Sequence, residues 1–194
     1  MAWLVAGLGN PGDRYARTRH NVGRMVVYEL AAAAGERFRK ARFLPAEVAR
    51  TRFDGEEVLL VASTLYMNES GTSYAGVAKR HDIEPGQVIA VHDDLDLVPG
   101  ELRVKLGGGT AGHNGLRSLQ KSLRSPEFLR VRIGIGRPPG RQDPADFVLE
   151  PLGRDALDAA HEAAGRAADA VRTLVREGLA SAQDRFNRTG RTET

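Results

Sequence analysis

Cysteine is absent from this 194-residue chain, which excludes disulfides and thiolate metal sites. No apolar run approaches the roughly 20 residues needed to span a bilayer, so no membrane partner is expected. Histidines at metal-ligand spacing (His-x-x-x-His or His-x-His) are missing too, and no metal or cofactor is expected. A Gly-x-Ser-x-Gly elbow is lacking, which leaves a serine nucleophile without its usual support. Lysine is scarce, 4 residues against 24 arginines, in a chain rich in alanine and glycine; that bias reads as base composition. The net charge of +3 permits a polyanionic partner without demanding one.

What is present is ordinary for a globular protein: 41% hydrophobic and 27% charged residues. The length suits one domain, expected over residues 1–187, with a polar tail at 188–194. The opening MAWLVAGLGN lacks a basic leader and breaks off in glycines, so it reads as a first strand, not a signal peptide. A cytoplasmic location is expected.

Buried strands are predicted at 3–8, 58–63, 88–94 and 129–136, where β-branched apolar residues cluster. Segment 101–107 alternates and reads as an edge or antiparallel strand, and 44–52 as another short strand. Helices are predicted at 22–34, 71–81, 115–124 and 154–178, with Asn21, Ser70 and Asn114 as N-caps for the first three. The last carries a stripe of Leu157, Ala160, His161, Ala164, Ala168, Val171 and Val175, which predicts His161 to be packed. This alternation implies an α/β fold: a three-layer α/β/α sandwich around a mixed, mostly parallel twisted sheet.

Gly7, Gly9 and Gly12 spell G-x-G-x-x-G, the pattern of a dinucleotide-binding turn. Such a turn opens a helix at its third glycine and is followed about 20 residues later by an acidic strand end. Here DRYARTRHN follows, without apolar periodicity, and a nicotinamide oxidoreductase is rejected. The glycines instead shape a loop beyond the first strand that displays Asn10, Tyr15 and His20. The run GGGTAG at 107–112 ends in His113-Asn114 and lacks the Lys-Ser/Thr of a Walker loop, though glycine still allows close approach to a bulky ligand.

Strand alternation points His92 and Asp93 to opposite faces. A histidine partner for Asp93 must then come from another loop, and His20 and His113, each in a His-Asn pair before a helix start, are the candidates. A helix N-terminus keeps an imidazole neutral, whereas a carboxylate strengthens it as a base and fixes its tautomer. Such a set can activate water.

GLGNPGDRYARTRHNVG, YMNESG, VHDDLDLVPGELRVKLGGGTAGHNGLRSL and RVRIGIGRP, in this order over residues 3–187, closely resemble the bacterial peptidyl-tRNA hydrolases. The resemblance implies an esterase that frees tRNA from prematurely released peptidyl-tRNA, acting as a monomer without metal, cofactor or obligate protein partner. It implies His20 as catalytic base, Asp93 as the carboxylate that keeps it basic, and Asn10 as the discriminator of blocked from free aminoacyl-tRNA. Asn68 and Asn114 match contacts to the substrate's end; Tyr15, Tyr66, Met67 and His113 match positions lining the same site. Lys105 and Arg132 match residues that clamp the tRNA phosphate backbone.

Two positions depart from the family pattern. Many relatives carry Lys-Pro shortly before the Tyr-Met-Asn segment where this chain reads Ala62-Ser63-Thr64-Leu65, which predicts a looser connection with one basic contact fewer. Asp94 stands where glutamate is frequent. The rival reading within the family, an RNA binder that has lost catalysis, would be expected to lack His20 or Asp93, and both are present.

Overall fold

The computed structural model describes residues 1–187; the polar tail expected at 188–194 lies outside the described residues. The strands are β1 (Ala2–Gly7), β2 (Arg39–Lys40), β3 (Ala46–Phe53), β4 (Glu56–Ser63), β5 (Val88–Asp94), β6 (Leu102–Leu106) and β7 (Leu129–Gly134). The helices are α1 (Val22–Ala33), α2 (Gly71–Arg80), α3 (Asn114–Leu123), α4 (Pro144–Leu149), α5 (Arg154–Glu177) and α6 (Leu179–Phe186).

One seven-stranded sheet has the order β2-β3-β4-β1-β5-β7-β6. Its four central strands, β4, β1, β5 and β7, run parallel, as expected of near-continuous apolar runs covered on both faces. Antiparallel strands close both margins, β3 with β2 beyond β4 and β6 beyond β7. The alternating pattern of residues 101–107 correctly marked β6 as an edge.

Helices α1, α5 and α6 pack on one face around Val5, Val26, Leu30, Val91, Val171 and Leu174; α2 and α3 cover the other around Leu4, Leu59, Tyr74, Val77, Leu119 and Phe128. The expected α/β/α layering is therefore present. No helix among the described residues is long and apolar enough to cross a membrane.

From β1 the chain passes to β4 on one side and then to β5 on the other, so the order reverses beside β1. In open α/β sheets, ligands bind beyond the strand ends at such a point. A Cβ on Gly23 would lie 2.0 Å from the Val91 carbonyl oxygen, so glycine lets α1 press directly on β5. The loop that precedes α1 is thereby carried to the end of β5.

Several local expectations are corrected. α4 and α6 are not among the predicted helices: a Pro-rich stretch precedes the first, and only one glycine separates the second from α5. Asn21 and Ser70 occupy N-cap positions but make no capping bond, and Asn114 is the first residue of α3, capped instead by His113. His161 is exposed. The first turns of α5 border an open cavity of about 950 Å³, lined by Ala156, Ala159 and Ala160, so the buried stripe begins only at Ala163.

Candidate active site

The ends of β1 and β5 and the starts of α1 and α3 converge on Asp93. This carboxylate is 3% exposed. His20, in a 3-10 turn at Arg19–Asn21, places Nδ1 2.9 Å from Asp93 Oδ2 and 3.1 Å from Oδ1. His113 places Nε2 2.8 Å from Asp93 Oδ1. Both histidines that the sequence offered as partners for Asp93 are therefore its partners.

The tautomers follow from the hydrogen bonds. His113 Nδ1 accepts the N–H groups of Gly115 (3.1 Å) and Leu116 (3.3 Å) at the start of α3, so its proton sits on Nε2 and is donated to Asp93. His20 likewise donates Nδ1–H to the carboxylate, which leaves its Nε2 lone pair free. As ligands for a cation, the three groups are already engaged with one another.

Burial alone would lower the His20 pKa, but the charge and hydrogen bond of Asp93 more than offset it and raise the value above 6.5. Burial alone would raise the Asp93 pKa, yet His20 and His113 hold that carboxyl well below its ordinary range. His92 sets its ring edge-on to His113 with centroids 5.2 Å apart, donates Nδ1–H to the Asp93 carbonyl at 2.8 Å, and is pushed down to about 3 by burial and by His113.

Asn10 is 7% exposed and locked on both sides. Its Oδ1 accepts the Met67 N–H at 2.7 Å, which commits the oxygen and leaves the Nδ2 hydrogens available. Asn21, which the sequence suggested only as a cap, holds the Asn10 main chain. Met67 is 4% exposed, and its sulfur fills the space that a Cβ on Gly115 would need. Tyr15 and Tyr66 meet edge to face with centroids 6.1 Å apart, and Tyr66 is 56% exposed. Asn68 is exposed in the 3-10 turn Met67–Glu69.

On the other side of His20 a cleft of about 430 Å³ is lined by His92, Lys105, Thr110, His113, Asn114 and Arg132. Asn114 is exposed, with Oδ1 3.2 Å from the Arg117 guanidinium. Arg132 donates to Asp94 at 2.8 Å, so the shorter acidic side chain still reaches a partner. Burial lowers the Lys105 pKa, and Arg132 and Arg130 add to the effect. Cations thus crowd one wall while rings and amides form the other.

The looser connection predicted at Ala62-Ser63 is not found. Ser63 Oγ accepts the Leu65 N–H at 2.9 Å and shares a 2.8 Å hydrogen bond with Ser73, while Arg24 donates to the Ser63 carbonyl at 2.6 Å. Ser63 thus pins the turn through its side chain and its carbonyl.

A sequence model described as peptidyl-tRNA hydrolase matches residues 4–194. The chain is 50% identical over 197 aligned positions to the peptidyl-tRNA hydrolase of Cutibacterium acnes, covering 96% of this chain and 98% of that one. It is 50% identical over 184 positions to that of Mycobacterium avium, covering 95% and 96%. The crystal structure of peptidyl-tRNA hydrolase from Acinetobacter baumannii superposes with a TM-score of 0.88 at 35% identity, over 96% of this chain and 94% of that one.

Proposed function

This chain belongs to the peptidyl-tRNA hydrolase family, and we propose how its residues divide the work of that reaction. It is a peptidyl-tRNA hydrolase, cleaving by histidine-activated water the ester between a peptide and the terminal ribose of tRNA. His20 is the general base: its free Nε2 takes a proton from water, which attacks the ester carbonyl. Asp93 holds the imidazole in the required tautomer and stabilises the imidazolium that forms, and His113 holds Asp93. The protonated His20 then returns the proton to the departing ribose oxygen. The observation that carries this reading is the pair of hydrogen bonds from His20 and His113 to one buried carboxylate.

Asn10 offers its amide hydrogens to the peptide beside the ester. A blocked amino group can be hydrogen-bonded there, whereas a free ammonium would have to be desolvated, which spares aminoacyl-tRNA. Asn68 and Asn114 hold the acceptor end from opposite sides of His20. Tyr15 and Tyr66 stack on its unpaired bases, a contact worth about 1–3 kcal/mol per base. Met67 acts through Asn10. Lys105 and Arg132 meet phosphates at the cationic wall, so affinity falls with salt. The enzyme works in the cytoplasm as a monomer, as one domain over residues 1–187, and the scheme requires no metal or cofactor.

Single-turnover hydrolysis of N-acetylaminoacyl-tRNA and of free aminoacyl-tRNA tests the reading. Rapid release from the first and little from the second is expected. Tight tRNA binding with no release from either would identify a non-catalytic RNA binder.

A further inference from the structure

The glycine run 107–112 joins β6 to α3 and delivers His113 to Asp93. Gly107, Gly108 and Gly112 lie at positive φ (64°, 101° and 79°), which glycine adopts freely, so the glycines alone do not fix the path of the loop; Ala111 joins them at 47°. Contacts from β7 below fix it. Arg130 donates Nη2–H to the Gly108 carbonyl at 2.6 Å and Nη1–H to the Gly109 carbonyl at 2.5 Å. Within the loop, Thr110 accepts the His113 N–H at 2.9 Å, so the held segment connects directly to His113.

Arg130 is an expensive residue to place there. It is 1% exposed, and among the described residues no carboxylate forms an ion pair with it. Burial and Arg132 both act against its charge, with Glu127 alone favouring it, and its Nε finds no hydrogen-bond partner. The Phe128 ring, with its centroid 4.7 Å from the guanidinium carbon, gives partial compensation. What the buried charge does in return is hold the two loop carbonyls through charge-assisted hydrogen bonds.

We propose that Arg130 is a positioning residue for hydrolysis: by holding the carbonyls of Gly108 and Gly109 it fixes where His113 and Asn114 enter the active site. The proposal rests on the reading of His20, Asp93 and His113 given above. Arg130 borders the cleft that Lys105 and Arg132 line, and each of its terminal nitrogens keeps a second N–H, so the salt dependence of tRNA binding is the readout that separates positioning from a phosphate contact.

The test compares Arg130→Met and Arg130→Lys with the wild-type enzyme in three measurements: single-turnover cleavage of N-acetylaminoacyl-tRNA at saturating enzyme, tRNA affinity against salt, and thermal melting. Arg130→Met is expected to slow the single-turnover step by about tenfold, as a misplaced catalytic group does, with the salt slope of binding unchanged. Arg130→Lys, which keeps the charge and can reach one carbonyl, is expected to recover part of the rate, and it carries the test if the methionine variant does not fold. A wild-type rate with only a lowered melting temperature would overturn the proposal in favour of a purely structural role. A salt slope reduced by about one would overturn it in favour of a phosphate contact. Failure of the underlying reading shows separately, as undiminished turnover in His20→Ala.

Discussion

Asn21 grips the main chain of Asn10 at both ends, its Oδ1 accepting the Asn10 N–H at 2.8 Å and its Nδ2 donating to the Asn10 carbonyl at 2.8 Å. With the Met67 N–H on the Asn10 side chain, three of the four polar atoms of Asn10 are committed and only Nδ2 is left. Orientation is thus set before substrate arrives, and no reorganisation is left for the reaction itself.

Asn21→Ala removes both main-chain bonds and lets the Asn10 loop relax. The ratio of kcat/KM for N-acetylaminoacyl-tRNA over aminoacyl-tRNA is expected to fall by about tenfold, corresponding to one lost hydrogen bond of about 1.4 kcal/mol. Parallel kinetics on the two substrates measure this; an unchanged ratio would separate Asn21 from discrimination.

Asp93→Asn removes the charge that raises the His20 pKa and allows the wrong tautomer. Because His20 must be neutral to act as a base, activity is lost as pH falls through its raised pKa, and the wild-type acid limb lies above the ordinary imidazole value of 6.5. In the variant the limb moves to lower pH, and the plateau rate drops by at least about 100-fold. A pH–rate profile of kcat/KM for both proteins shows whether the limb moves in that direction.

His113→Ala withdraws a donor from Asp93 and the cap from α3 together. Stability is expected to fall by about 1–2 kcal/mol, the usual cost of a lost cap, and turnover to slow beyond what the unfolded fraction explains. Denaturant unfolding alongside single-turnover rates separates the two effects.

Lys105→Ala is expected to weaken tRNA binding and to reduce the slope of log affinity against log salt by about one, with the single-turnover rate at saturation little changed. A titration over a range of salt concentrations is sufficient. An unaltered slope would remove Lys105 from the phosphate-binding wall.

Much of the site was legible because its residues sit at strand ends, where a change of periodicity is visible in the sequence. Asn10 and His20 follow a glycine-broken strand, and Asp93 ends an apolar one. The double role of His113 was not legible, since capping depends on a side chain folding back onto two N–H groups, and the Asn114 beside it is the commoner cap. Asn21 was assigned to a cap because its true partner lies eleven residues away, across a loop of no regular pattern. Arg130 did leave a trace: arginines at 130 and 132 share one face of a strand otherwise built for burial. His161 misled because helical periodicity shows which residues share a face, but not where along its length the helix leaves the sheet.

The most direct measurement is single-turnover hydrolysis of N-acetylaminoacyl-tRNA by His20→Ala at saturating enzyme, with tRNA affinity measured on the same preparation. A rate lower by at least about 100-fold with affinity within about twofold of wild type is predicted for the loss of a general base. A rate close to wild type would show that the imidazole held by Asp93 does not activate the attacking water.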